Sequence, residues 1–145
     1  MKIFVPGRIC LFGEHSDWAG GYRRINAEIS KGYAVIAGTN QGVHAEVKPH
    51  PSKFIFRAVL DDGTEVEPFE LPMEREALLE AAEGGGFISY AAGVAYQVLT
   101  HYRVRGLEIT NTLTDLPVKK GLSSSAAVCV LVARAFNRIY DLKLT

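Results

Sequence analysis

The sequence predicts an α+β fold, and three observations lead to it. The first half alternates apolar and polar residues in short runs. The second half carries apolar residues at helical spacing, and Gly-rich or Ser-rich breaks punctuate the change. Lys2–Val5 and Ile9–Phe12 are apolar runs parted by Pro6-Gly7, and both read as strands. Tyr33–Gly38 and Val43–Val47 follow, the second with Val43, Ala45 and Val47 on alternate positions. Phe54, Phe56 and Ala58 alternate likewise, and Asp61-Asp62-Gly63 is a turn leading to a strand at Thr64–Phe69. Such alternation predicts a sheet with one wet face.

Pro72 with Met73–Glu83 reads as a short helix stopped by Gly84-Gly85-Gly86. From Phe87, the residues Ala91, Val94, Val98 and Tyr102 continue at helical spacing. Arg105–Leu113 is a strand with Leu107, Ile109 and Asn111 on one side. In the last segment Val128, Leu131, Val132, Ala135 and Ile139 form an apolar stripe opposite Arg134 and Arg138. The run Ser123-Ser124-Ser125 stands ready to cap that helix.

Composition narrows the partners. In 145 residues, 16 Lys+Arg balance 16 Asp+Glu, so no global field draws the chain to nucleic acid or an anionic membrane. No apolar run approaches the length of a membrane span, and a cytoplasmic location is expected. Cys10 and Cys129 sit among apolar neighbours outside any C-x-x-C pair, and are expected to be buried, reduced packing residues.

Two segments carry candidate chemistry. Pro117-Val118-Lys119-Lys120-Gly121-Leu122-Ser123-Ser124-Ser125 joins a strand to a helix through small residues. The first N–H groups of a helix lack internal partners, and they sit at the positive end of its dipole. Together they suit an anion such as a nucleotide phosphate, and a serine hydroxyl can serve as an oxygen ligand to Mg²⁺. A plain Ser-rich cap explains the same residues. The other segment runs from Pro6 to Gly21 and gathers Glu14, His15 and Asp17 between glycines. Carboxylates accept bonds from polyol hydroxyls, Arg8 can neutralise a phosphoryl group, and Trp18 can wall a sugar ring. A solvated turn is the rival account, and a metal site has too few ligands to compete with it.

As an ordered pair the two segments resemble known signatures. P-G-R-I-C-L-F-G-E-H-S-D-W-x-G-G resembles the sugar-binding signature of galactokinases, with a looser form in mevalonate kinases. P-x-x-x-G-L-S-S-S-A-A is similar to the ATP-binding loop of the whole GHMP-type kinase superfamily: galactokinase, homoserine kinase, mevalonate kinase and phosphomevalonate kinase. The resemblance implies a ribosomal protein S5 domain 2-like fold, a mixed sheet with helices on one face and a left-handed β-α-β crossover. It implies ATP-dependent, Mg²⁺-assisted phosphorylation of a small-molecule hydroxyl. By position, Arg8 would stabilise the transition state, and Glu14, His15, Ser16 and Asp17 would contact the sugar. Lys119, Lys120, Gly121, Leu122, Ser123, Ser124 and Ser125 would hold ATP, with Ser125 also on Mg²⁺.

Galactokinases usually have Thr-Asp-Tyr-Asn where this chain has Ser16-Asp17-Trp18-Ala19. The Asp is kept, and the substrate stays open among galactose, another hexose, a heptose derivative, arabinose and mevalonate. Relatives continue into a helix with a Mg²⁺-binding Glu, then an Asp base, then a C-terminal domain. The expectation is therefore that residues 1–145 form one N-terminal domain truncated before the catalytic-base helix, with self-association through the surface left bare. A non-catalytic nucleotide- or sugar-binding module and an inactive fragment are the alternatives.

Overall fold

The computed structural model describes residues 1–14, 20–58, 63–65, 67–116 and 124–144, with Ser124 described by its backbone alone. Among these residues, five strands form one mixed sheet. Strand β1 (Lys2–Phe12) pairs antiparallel with β2 (Val35–His50), which pairs antiparallel with β5 (Gly106–Thr114). On its other side β5 runs parallel to β3 (Lys53–Arg57), and β3 is antiparallel to β4 (Phe69–Pro72). Helices α1 (Arg75–Glu83) and α2 (Gly86–His101) lie in the connection from β4 to β5, and α3 (Ser124–Tyr140) follows β5. Gly20–Arg24 forms a short 3₁₀ turn. This is the α+β architecture expected from the sequence.

The core lies between the sheet and the helices. Ile3, Val5, Val43, Ala45, Val47, Leu107 and Ile109 point into it at alternate positions, and α3 answers with Val128, Leu131, Val132, Ala135 and Phe136. Phe136 stacks between Phe54 and Tyr140, with ring centroids 6.2 and 6.1 Å away. Helix α2 contributes mainly Ala91, Ala92 and Ala95, whose small side chains let neighbouring helices come close. Of the stripe expected on this helix, Ala91 and Val98 are buried, whereas Phe87 and Tyr102 are exposed. Arg134 and Arg138 fall on the exposed side of α3, as its periodicity required.

Several strand boundaries differ from expectation. Pro6-Gly7 does not divide the first strand; it sits at a register irregularity within one continuous β1. Proline survives there because β1 is an edge strand, where a missing N–H interrupts no ladder. The two runs expected at Tyr33–Gly38 and Val43–Val47 likewise merge into the single strand β2. Strand β4 begins at Phe69 rather than Thr64, because its register brings Phe69 and Leu71 beside Phe56 and Phe54. Pro72 then ends that strand instead of opening a helix, and α1 begins three residues later.

The wet-face rule also fails at Ile55, which is buried on the face opposite Phe54. Its cross-strand neighbours there are Glu70 and Glu108. Glu108 pairs with Lys48 and Arg57 at 3.1 and 3.5 Å, and Glu70 pairs with Lys53 at 3.0 Å. The aliphatic stems of such pairs cover apolar surface while their charged heads stay wet.

Two local features position the end of the sheet where α3 begins. Asn111 is the buried polar residue of the core, at an irregularity in the β2–β5 register. Its Nδ2 donates to the carbonyls of His44 and Leu113 at 3.0 and 3.1 Å, and its Oδ1 accepts from Thr114 Oγ1 at 3.1 Å. Just beyond, the Asp115 carboxylate accepts from the Gly42 N–H at 2.5 Å, tying the exit of β5 to β2. The next residue, Leu116, is fully buried and packs directly on Gly7 of β1. A Cβ at position 7 would run into the Leu116 side chain and lie 2.8 Å from Thr39 Oγ1.

A Cβ at position 7 presses on the fully buried Leu116 side chain, so Gly7→Ala is expected to lower stability by about 1–3 kcal/mol, the usual cost of overpacking. Urea denaturation of Gly7→Ala, Leu116→Ala and the double variant would read this as a coupling of at least about 0.5 kcal/mol. Additive effects would show that the two residues do not press on each other.

Candidate functional site

The Gly7–Leu116 contact brings together the roots of both segments singled out in the sequence. Arg8 follows Gly7 directly, and Leu116 immediately precedes the serine-rich segment. Arg8 is exposed and pairs with Gly38 of β2 just past the register irregularity. A second tie holds the same elements: Arg134 of α3 donates through Nη1 to the Phe4 carbonyl of β1 at 2.9 Å. That bond also satisfies an acceptor on the outer edge of the sheet, where an unpaired carbonyl invites unwanted strand pairing.

Helix α3 begins at Ser124, so Ser125 lies in its first turn, where it is half-buried. No acidic residue occupies that turn. The positive end of the helix dipole is therefore not offset by a nearby carboxylate on α3, and its first N–H groups are donors without intrahelical partners. Lys119, Lys120, Gly121, Leu122 and Ser123 lie outside the described residues, as does the Ser124 side chain.

Beyond Arg8, β1 and β2 continue as a ribbon whose apolar side chains no described element covers. Ile9, Leu11 and Phe12 are exposed on one strand, and Val35 and Ile36 on the other. At a rise of roughly 3.3 Å per residue, Phe12 stands about 13 Å along the strand from Arg8. The ribbon ends at Gly13, whose φ of +81° is left-handed and whose missing Cβ makes room for the Tyr33 carbonyl. Glu14 follows, exposed at the tip. Arg8 and Glu14 thus occupy opposite ends of the half-strand, although one sequence signature contains both. His15, Ser16, Asp17 and Trp18 lie outside the described residues.

The cysteine expectation is corrected. Cys10 and Cys129 are both free thiols, as read, but each is only half-buried. Cys10 lies on the uncovered ribbon, and its Sγ approaches the Phe12 carbonyl at 3.4 Å. Partial burial of Cys129 pushes its thiol pKa up, away from the reactive thiolate. Among the described residues, no group of three or more His, Cys, Asp and Glu side chains is placed to hold a metal. No helix among them is long and apolar enough to cross a membrane.

The sequence reading missed Asp115 and Leu116, the last described residues before the serine segment, which bind β2 and β1. Their signal was faint: an acidic residue and an apolar residue at the end of a strand look like any strand exit.

Known proteins resemble the chain in sequence and in fold. Residues 89–145, which span α3 and most of α2, match the family model described as the GHMP kinases N terminal domain. The chain is 31% identical over 147 residues to a galactokinase of Thermococcus kodakarensis, covering 100% of this chain and 35% of that protein. A Streptomyces coelicolor galactokinase is 29% identical over 144 residues, covering 97% of this chain and 32% of its own. The chain spans about a third of the length of these curated relatives. Among solved structures, the mevalonate kinase of Methanococcus jannaschii superposes with a TM-score of 0.72 at 21% identity, over 100% of this chain and 42% of that one. A phosphomevalonate kinase of Streptococcus pneumoniae, in complex with phosphomevalonate and AMPPNP, superposes with a TM-score of 0.54 at 18% identity. The second part of the chain is thus similar to the GHMP kinases N terminal domain, the whole chain is similar in sequence to part of the galactokinases, and its fold is that of part of a mevalonate kinase.

Proposed function

We propose that the chain forms the nucleotide- and substrate-binding part of an enzyme that phosphorylates a sugar hydroxyl with ATP. The observation that supports this reading is the packing of Leu116, the last described residue before the serine segment, on Gly7, the residue before Arg8. A permanently charged guanidinium and the N-terminus of a helix both favour phosphate. The AMPPNP complex of the pneumococcal phosphomevalonate kinase supports an ATP-type nucleotide for this fold.

The donor set fits such a nucleotide: the first turn of α3 holds no competing carboxylate, and Ser125 stands in it half-buried. Ser125 would hold Mg²⁺ through one hydroxyl oxygen. That is a fitting share for an ion that usually keeps several waters and takes its other ligands from phosphates. Bound there, ATP supplies the γ-phosphoryl group and Mg²⁺ offsets its charge. Lys119, Lys120 and the segment Gly121 to Ser125 would hold the phosphates in place. Arg8 would stabilise the charge on the transferring group, since catalysis of this kind is chiefly positioning and electrostatics. Glu14, His15, Ser16 and Asp17 would take the sugar hydroxyls, and the retained Asp17 favours a sugar over mevalonate. Cytoplasmic phosphorylation of a hexose such as galactose is the specific form of the proposal.

In this reading no residue of the chain serves as the base that takes the hydroxyl proton. General-base catalysis contributes about 10²–10⁴-fold. The 145-residue chain alone is therefore expected to turn over galactose at least about 100-fold below a typical enzyme rate of about 10 s⁻¹. A coupled assay giving full turnover would place the base within the chain and overturn that assignment. Calorimetry with ATP·Mg²⁺ should give saturable heat, weakened about tenfold in Ser125→Ala, the size expected for a lost hydrogen bond to a charged group. An unchanged Kd in a folded variant would sink the loop assignment, and saturable binding of sugar without nucleotide would favour a non-catalytic module. The uncovered ribbon of Ile9, Leu11, Phe12, Val35 and Ile36 supports self-association of the isolated chain. Light scattering should show a mass that rises with concentration and falls back in Phe12→Ser, whereas a monomer at all concentrations would refute it.

A further inference from the structure

At the end of the domain where α2 and α3 finish, an open cavity of about 640 Å³ lies among the C-terminus of α2, the start of β5 and the end of α3. Arg75, His101, Tyr102, Arg103, Arg105 and Tyr140 line it, and among the described residues no carboxylate does. The ion pairs of the described residues involve none of its three arginines. Of the nearby acids, Asp141 pairs with Lys143 at 2.7 Å, and Glu74 and Glu76 are not in the lining.

The bland account is that these cations answer helix dipoles. Helices α2 and α3 both end here, each contributing about half a negative charge, while α1 begins at Arg75 and contributes about half a positive one. The helix ends therefore leave about half a negative charge against three full positive ones. Arg75 does serve α2, donating through Nη2 to the Thr100 carbonyl at 3.5 Å. Tyr140 is also committed, donating to the Gly106 carbonyl at 2.6 Å, and burial raises its pKa so that it stays protonated. Arg105 faces Tyr140 through its backbone, but among the described residues the guanidinium groups of Arg103 and Arg105 form no ion pair, and both residues stand exposed on the short link between α2 and β5. A surplus of more than two positive charges in one cavity is unexpected on a chain whose net charge is zero.

We infer that this cavity is a binding site for a small anion carrying two or more phosphate groups, held by the guanidinium groups of Arg103 and Arg105 with help from Arg75. The volume falls within the range of small-molecule sites, and the planar fork of arginine matches phosphate oxygens two at a time. The site lies apart from the Gly7–Leu116 region, and its existence does not rest on the kinase reading.

The test follows backbone amides of the full 145-residue chain by ¹⁵N-correlated NMR at low salt, titrating pyrophosphate in one arm and ATP without Mg²⁺ in the other. The inference expects saturable shifts at residues 99–106, from pyrophosphate if the ligand is a free diphosphate and from ATP if it is a nucleotide tail. Affinity should fall at least tenfold in Arg103→Gln/Arg105→Gln. Both substituted side chains are exposed, so an unchanged far-UV spectrum is expected and certifies the fold. Ser125→Ala should leave these shifts intact, which separates this site from the proposed ATP loop. No shift at 99–106 in either arm, or equal affinity in the double variant, overturns the inference.

Discussion

The approach of Leu116 to Gly7 joins two stretches that lie at opposite ends of the chain, and the candidate chemistry is built around that junction. Close packing leaves no void to absorb a side chain at position 7, so the glycine follows from geometry and not from flexibility. Around it, Asp115 ties the exit of β5 to Gly42, Arg134 ties α3 to Phe4, and Asn111 holds the irregular register one turn of chain earlier. These contacts are polar, short and specific. They fix the described ends of β1, β2 and β5 relative to α3, whereas the apolar core keeps sheet and helices together.

The sheet is asymmetric for the same reason. Its first part is covered by α3 and has the alternation of a half-buried surface. Its far ribbon carries equally apolar side chains with no described helix over them. Local propensity can extend a two-stranded ribbon beyond its core, but an isolated ribbon is marginal in water. Ile9, Leu11 and Phe12 therefore stand exposed along it among the described residues.

Electrostatics divides the molecule in a second way. Net charge is zero, yet cations gather where α2 and α3 end, and the first turn of α3 is free of acids. Both places favour anions by local geometry. A chain without a long-range field can still hold phosphate where arginine forks or helix donors converge, since close charge-assisted bonds need no global potential. The two places differ in kind: one presents backbone donors and a serine, the other guanidinium groups.

Much of this was legible in the sequence. Alternation marked Val43, Ala45 and Val47 as inward-facing, helical spacing marked the buried stripe of α3, and the glycines at 84–86 marked the break between α1 and α2. These signals are local, set by the side-chain periods of strand and helix. The ordered pair of signature segments likewise pointed to the kinase fold. Strand continuity through Pro6-Gly7, the start of β4 at Phe69 and the burial of Ile55 were not legible, because each depends on what the neighbouring strand presents. Nor could spacing show that Arg8 and Glu14 stand at opposite ends of a half-strand, or that Leu116 rests on Gly7. Sequence by itself determined the elements and the residue types that suit phosphate. Only tertiary structure decided which of them meet, because register and packing are contacts between residues far apart in the chain.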